Sequence, residues 1–123
     1  MQKFEGLIAA PFAPMFKDGR INYDSVDEYS DFLVRNHIVG AFINGSTGEG
    51  VSLTLKEKQR LTEKWVKAAN GTPMKVINLV GGTSYTECIE QAQHSQESGA
   101  DAIAMAADGR FVIAYNGEVY NFR

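Results

Sequence analysis

The feature that most constrains this chain is a regular alternation along its length. Short apolar runs, Gly6-Leu7-Ile8-Ala9-Ala10, Gly40-Ala41-Phe42-Ile43, Met74 to Val80 and Ala100 to Ala104, are separated by stretches whose apolar residues recur at helical spacing. Strands that are apolar throughout are covered on both faces, and such strands are joined in parallel by helical crossovers. The first run ends at Pro11 and Pro14, which cannot donate to a ladder. A first helix is expected from about Asp24 to Arg35, with Val26, Tyr29, Phe32 and Leu33 on one face. A second opens at Thr54, where Thr54 and Glu57 have the spacing of a capping box. It turns Leu61, Trp65 and Ala68 or Ala69 inward and ends at Asn70-Gly71. A third opens on the similar pair Ser84 and Glu87, turns Ile89 and Ala92 inward, and stops at Gly99. The order βαβαβαβ describes either a doubly wound sheet or part of a (β/α)8 barrel.

Both architectures gather ligand groups at the C-terminal ends of their strands. The segment Asn44-Gly45-Ser46-Thr47-Gly48-Glu49-Gly50 falls there, directly after the second run. Its glycines let the backbone approach a ligand closely. The hydroxyls and N–H groups of Ser46 and Thr47, supported by Gly45, Gly48 and Glu49, form a donor set suited to a carboxylate. An ordinary glycine-rich βα turn accounts for the same composition.

The remaining composition narrows the function classes. A length of 123 residues allows at most one domain, and 44% hydrophobic with 22% charged residues is the balance of a soluble globular protein. A net charge of −3 points to neither nucleic acid nor an acidic membrane surface. No segment reaches the ~18 apolar residues of a membrane span, and Met1 to Gly6 contains no signal-peptide core. The single cysteine, Cys88, leaves no internal disulfide and fits a reducing cytoplasm. His37 and His94 lie far apart and lack metal-ligand spacing, so neither metal nor cofactor is expected. His37 suits the C-terminal dipole of the first helix, and Trp65 suits a core anchor better than a sugar platform.

After Ala107 the pattern changes. Phe111-Val112-Ile113-Ala114-Tyr115, Asn116-Gly117 and Glu118-Val119-Tyr120-Asn121-Phe122 read as an antiparallel hairpin, where a barrel calls for a fourth helix. Such a hairpin either caps a small α/β domain or is foreign to the preceding fold.

Residues 4 to about 107 resemble the N-terminal part of the N-acetylneuraminate lyase family, within the dihydrodipicolinate synthase-like class I aldolases. The likeness rests on Gly6 to Phe12 with Pro14, on Asp18-Gly19 and Ile21-Asn22, and on Asn44 to Gly50. It continues through Ser52-Leu53 and Glu57 to Gly99-Ala100-Asp101-Ala102-Ile103. The Gly-Ser-Thr-Gly-Glu core belongs to the whole superfamily, while Gly50 with Ser52-Leu53 is more similar to the sialic-acid lyase branch. The resemblance implies the N-terminal half of a (β/α)8 TIM barrel, spanning 1–107, from a family of barrels roughly twice this length and usually tetrameric. It also implies cleavage of N-acetylneuraminate to N-acetylmannosamine and pyruvate through a lysine Schiff base. Ser46 and Thr47 would then hold the carboxylate of the keto acid or sialic acid. The family's lysine and tyrosine come from strands beyond the fourth. Lys56, Lys58, Lys64 and Lys67 belong to a helix and Lys75 to the opposite strand end, so no residue here is assigned a catalytic role and the chain is expected to be inactive alone.

The tail, 108–123, resembles a different family, the glutaminase domain of asparagine synthetase and other class II glutamine amidotransferases. By that likeness Asn116, Gly117 and Glu118 would contact glutamine. That family's nucleophile is an N-terminal cysteine, whereas this chain opens Met1-Gln2 and Cys88 sits within a helix. The expectation is a truncated or chimeric lyase-like protein that self-associates through its uncovered half-barrel surface, with its first and fourth strands as edges. A non-catalytic half-barrel assembly module and a glutamine amidotransferase fragment are the alternatives.

Overall fold

The capping box forms as the spacing requires: the Thr54 hydroxyl accepts the Glu57 N–H at 3.2 Å, and the Glu57 carboxylate accepts the Thr54 N–H at 2.9 Å. It starts the longest helix of a computed structural model that describes residues 5–82, 84–107, 110–115 and 118–122. In chain order the elements are β1 (Ile8–Ala9), α1 (Ser25–Arg35), β2 (Gly40–Ile43), α2 (Leu55–Ala69), β3 (Lys75–Leu79), α3 (Tyr85–Ser98), β4 (Ala102–Ala107), β5 (Arg110–Tyr115) and β6 (Glu118–Phe122). A 3-10 turn, Gly50–Ser52, precedes α2. The Ser84 hydroxyl accepts the Glu87 N–H at 3.3 Å, but the reciprocal half of that box does not form. Gly99 ends α3 with φ at 91°, in the left-handed region where a side chain is disfavoured.

The six strands form one sheet in sequential order. β1 to β4 are parallel neighbours, in register at Ile8↔Gly40, Gly40↔Lys75 and Ile77↔Ala102. The helices pack in the same order, α1 on α2 and α2 on α3. A doubly wound sheet reverses its strand order partway; this one does not, so the topology is that of a barrel. Antiparallel β5 continues the sheet from β4 at Ala107↔Arg110, and β6 follows β5 at Tyr115↔Glu118. The expectation that β4 is an edge is therefore corrected: β5 pairs along it from Ala102 to Ala107, which leaves β1 and β6 outermost.

Strand alternation divides the apolar residues between two layers. Val26 and Leu33 of α1, Leu61 and Trp65 of α2, and Ala41, Ile43 and Val76 of the sheet make the larger core. On the opposite face Ile77, Ala102 and Ala104 pack with Phe42, Leu79 and Ile113. Two helix faces differ from their expected composition. Phe32 is 54% exposed, and Ser30 takes the buried position on α1 beside Val26 and Leu33. Ile89 is 41% exposed and Ala92 half-buried, while Gln91 and Ser95 form the buried side of α3.

Candidate carboxylate-binding loop

Asn44 leaves β2 with φ at 60°, in the left-handed region that asparagine tolerates better than most residues. Its buried amide Nδ2 donates to the Asn78 Oδ1 on β3 at 2.7 Å, with the Thr62 hydroxyl and the Lys58 carbonyl of α2 each at 3.3 Å. Asn78 Nδ2 in turn donates to the Ser95 hydroxyl at 2.7 Å, and Ser95 donates to the Gln91 carbonyl at 2.7 Å. All five side-chain positions, Asn44, Thr62, Asn78, Gln91 and Ser95, are buried.

Beyond Asn44 the loop folds back on itself. The Glu49 N–H donates to the Ser46 carbonyl and the Gly50 N–H to the Gly45 carbonyl, each at 3.1 Å. Glu49 is a second left-handed residue, at φ 57°. Close packing explains the glycines. A Cβ at Gly50 would lie 2.1 Å from the Asn44 carbonyl oxygen, and one at Gly48 would lie 3.1 Å from the Asn44 nitrogen and 3.2 Å from the Pro11 carbonyl. A Cβ at Gly45 would press on the Phe42 ring at 3.1 Å.

This backbone brings Ser46 and Thr47 to the surface together, both exposed, at the C-terminal end of β2. No acceptor among the described residues takes the N–H or hydroxyl of either. Adjacent hydroxyls and N–H groups on a braced loop can converge on one anionic oxygen pair. The expected supporting positions Gly45, Gly48 and Glu49 are here as well, whereas Asn116 and Gly117 lie outside the described residues, as does the Glu118 side chain. Asn44 opens the segment read from the sequence, whereas Asn78 and Ser95, which brace it, are residues that pattern reasoning missed. The available signal was an asparagine, Asn78, inside a run expected to be covered on both faces.

The other residues read from the sequence stand on other elements, and of these Lys58 reaches the loop through its carbonyl, at Asn44. Lys75 opens β3 at the opposite end of the sheet, 4.0 Å from an Asp101 carboxylate oxygen. Lys56 and Lys67 are exposed and Lys58 and Lys64 half-buried on α2. Cys88 is half-buried on α3, His37 follows α1, and His94 Nε2 lies 2.8 Å from a Glu63 carboxylate oxygen. A cavity of about 700 Å³ lies at that opposite end, lined in part by Lys67, Asn70, Lys75, Gly99 and Asp101. Its distance from Ser46 and Thr47 has a physical reason: a barrel site is walled by loops all round, and four parallel strands supply only part of that wall. Among the described residues no group of three or more His, Cys, Asp or Glu could hold a metal ion. No described helix is long and apolar enough to cross a membrane.

Comparison with known proteins places this geometry. The N-acetylneuraminate lyase of Gallus gallus is 39% identical over 122 residues, covering 98% of this chain and 40% of its own length. The solved Proteus mirabilis N-acetylneuraminate lyase superposes with a TM-score of 0.81 at 33% identity, over 85% of this chain and 35% of that one. The dihydrodipicolinate synthase of Aquifex aeolicus gives 0.77 at 32% identity, over 83% and 34%. The chain thus spans between a third and two-fifths of these relatives, a smaller share than the half expected. The dihydrodipicolinate synthetase family matches residues 3–107, from before β1 to the end of β4. With its sequential parallel strands and the Asn44 to Gly50 loop in place, the chain belongs to that family and folds as the N-terminal part of its (β/α)8 barrel.

Proposed function

We propose that these 123 residues retain the 2-oxo acid carboxylate site of a sialic-acid lyase and do not perform the lyase reaction by themselves. The observation that carries this reading is the exposed Ser46-Thr47 pair, with free donors on a loop braced at Asn44 and Gly50. The lyase branch is favoured over the synthase branch by Gly50 with Ser52-Leu53 and by the Gallus gallus relative. In the complete reaction a lysine forms a Schiff base with the keto acid, which requires an amine beside the bound carboxylate in a dry pocket. Lys56, Lys58, Lys64 and Lys67 all belong to α2 with none of them buried, and Lys75 opens β3 at the far end of the sheet, so none meets that requirement. Cys88 as a lone thiol is in keeping with a reducing cytoplasm.

Pyruvate is the direct probe. Titration should show saturable binding, and Ser46→Ala with Thr47→Val should weaken it about 10-fold or more, since a hydrogen bond to a charged group contributes ~1.5–3 kcal/mol. Borohydride added with pyruvate should trap no adduct. A stoichiometric adduct would overturn the proposed inactivity, and undiminished binding by the double variant would remove the carboxylate role.

A second reading, a half-barrel assembly module, is favoured by one observation. Leu7, Ile8, Phe12 and Phe32 are 73%, 42%, 56% and 54% exposed, and among the described residues β1 pairs only with β2. Burying such surface favours association at about 25 cal/mol per Å². Light scattering should therefore report oligomers, and a monodisperse monomer with a cooperative thermal transition would refute this reading. The tail fits a chimera with a glutamine amidotransferase segment beginning near Asp108. The family match ends at 107, yet the Gallus gallus alignment runs over 122 residues. Sequencing the genomic locus across Ala107-Asp108 decides the matter, and an uninterrupted lyase frame there would exclude the chimera.

A further inference from the structure

We propose that Asn78 and Ser95 are positioning residues for the Ser46-Thr47 loop, acting through Asn44; the inference rests on the carboxylate role proposed for that loop. Their hydrogen bonds run through three elements, from Ser95 on α3 to Asn78 on β3 to Asn44 at the end of β2, each link 2.7 Å long. Ser95 is fully buried, Asn78 2% exposed and Asn44 5% exposed.

A role confined to packing does not need these groups, because replacing both partners of a buried hydrogen bond by apolar side chains is often nearly neutral. Polar groups retained there carry a cost: the buried Asn44 Oδ1 has no hydrogen-bond partner among the described residues. What the network holds is specific. Asn44 stands in the left-handed region two residues before Ser46, and such a conformation persists only where its surroundings over-determine it. The side-chain network grips Asn44 from the helix layer while Gly50 packs on its carbonyl oxygen from the loop side. Held in this way, the Ser46 and Thr47 donors are ordered before a ligand arrives, and binding loses less entropy in ordering them.

The test compares Asn78→Leu, Ser95→Ala and the double variant with the parent chain. Three quantities are measured: thermal midpoint, amide hydrogen exchange at Glu49 and Gly50, and pyruvate affinity. Ser95→Ala leaves the buried Asn78 amide unpaired and should lower the midpoint, whereas the double variant removes that orphan and should recover it. Asn78→Leu should speed exchange at both amides about 10-fold and weaken pyruvate by a similar factor, and the double variant should keep both losses. Loop order and affinity would then separate from stability. Affinity and exchange that follow the thermal midpoint through the series would overturn the inference, as would unchanged exchange in Asn78→Leu. If the parent chain binds no pyruvate the carboxylate role itself fails, and the exchange rates still decide whether Asn78 and Ser95 position the loop.

Discussion

Gly50→Ala is expected to destabilise the chain by about 3 kcal/mol and to abolish pyruvate binding, although it adds a single methyl group. The added Cβ would lie 2.1 Å from the Asn44 carbonyl oxygen and 2.8 Å from its carbon, far inside contact distance. Backbone atoms stand on both sides of the clash, so no rotamer change relieves it. The loop must open, breaking the Gly50 N–H bond to the Gly45 carbonyl and shifting Asn44 away from Asn78. The thermal midpoint should fall by roughly 10 °C for a domain of this size. Gly81→Ala is the matched control, because among the described residues its Cβ would meet only the Leu79 side chain at 3.8 Å or more, and it should leave both midpoint and binding near parental values. An unchanged midpoint in Gly50→Ala would mean that the loop is not braced as described. The glycine that carries the resemblance to the lyase branch is thus the residue that the packing of the loop requires.

The sequence was most legible where local chemistry decides the outcome. Thr54 and Glu57 start α2 and Gly99 ends α3 because capping groups satisfy donors and acceptors within a few residues. Four apolar runs became four parallel strands, within a residue or three of their expected ends. Sorting residues by polarity failed on α3, where Ser95 and Gln91 are buried and Ile89 is exposed. That helix packs against Asn78, and a polar residue on the strand calls for a polar partner on the helix. Phe32 failed for the opposite reason: apolar spacing placed it inward, yet it stays 54% exposed, lining an open groove with Phe12, Met15 and Tyr29 that no further described element covers. At the other end of the sheet, β4 and β5 pair across a two-residue gap occupied in the sequence by Asp108-Gly109. That pair is a hairpin signal in its own right, overlooked because a barrel calls for a helix there. The loop proposed to hold a carboxylate was legible as a glycine-rich, hydroxyl-bearing segment. The residues that brace it were not, because Asn78 and Ser95 come together only when β3 and α3 pack.

Trp65→Ala is expected to remove cooperative folding altogether. Leu61, Trp65 and Ala69 recur every four residues along α2, and all three are buried, with Trp65 2% exposed. Its ring meets Tyr29 of α1 edge-on, with centroids 5.4 Å apart at 63°, and Tyr29 contacts Phe12 at 4.7 Å in turn. Trp65 thus joins α2 to α1, and through Tyr29 to the segment after β1, over the larger core. Truncating a buried tryptophan costs ~3–5 kcal/mol, against the ~5–15 kcal/mol that holds a typical domain together. The exposure of apolar groups such as Leu7 and Phe12 leads us to expect this chain at the low end of that range. Trp65→Phe, which keeps a ring against Tyr29, should retain a cooperative transition at a lower midpoint. Trp65 is also the single tryptophan of the chain, so the parent should emit at a blue-shifted wavelength that moves red on unfolding. Calorimetry on Trp65→Ala reads the outcome without that probe. A transition within a few degrees of the parent would show that stability resides elsewhere, for the α1–α2 layer could not lose its largest buried side chain and keep its packing against the sheet.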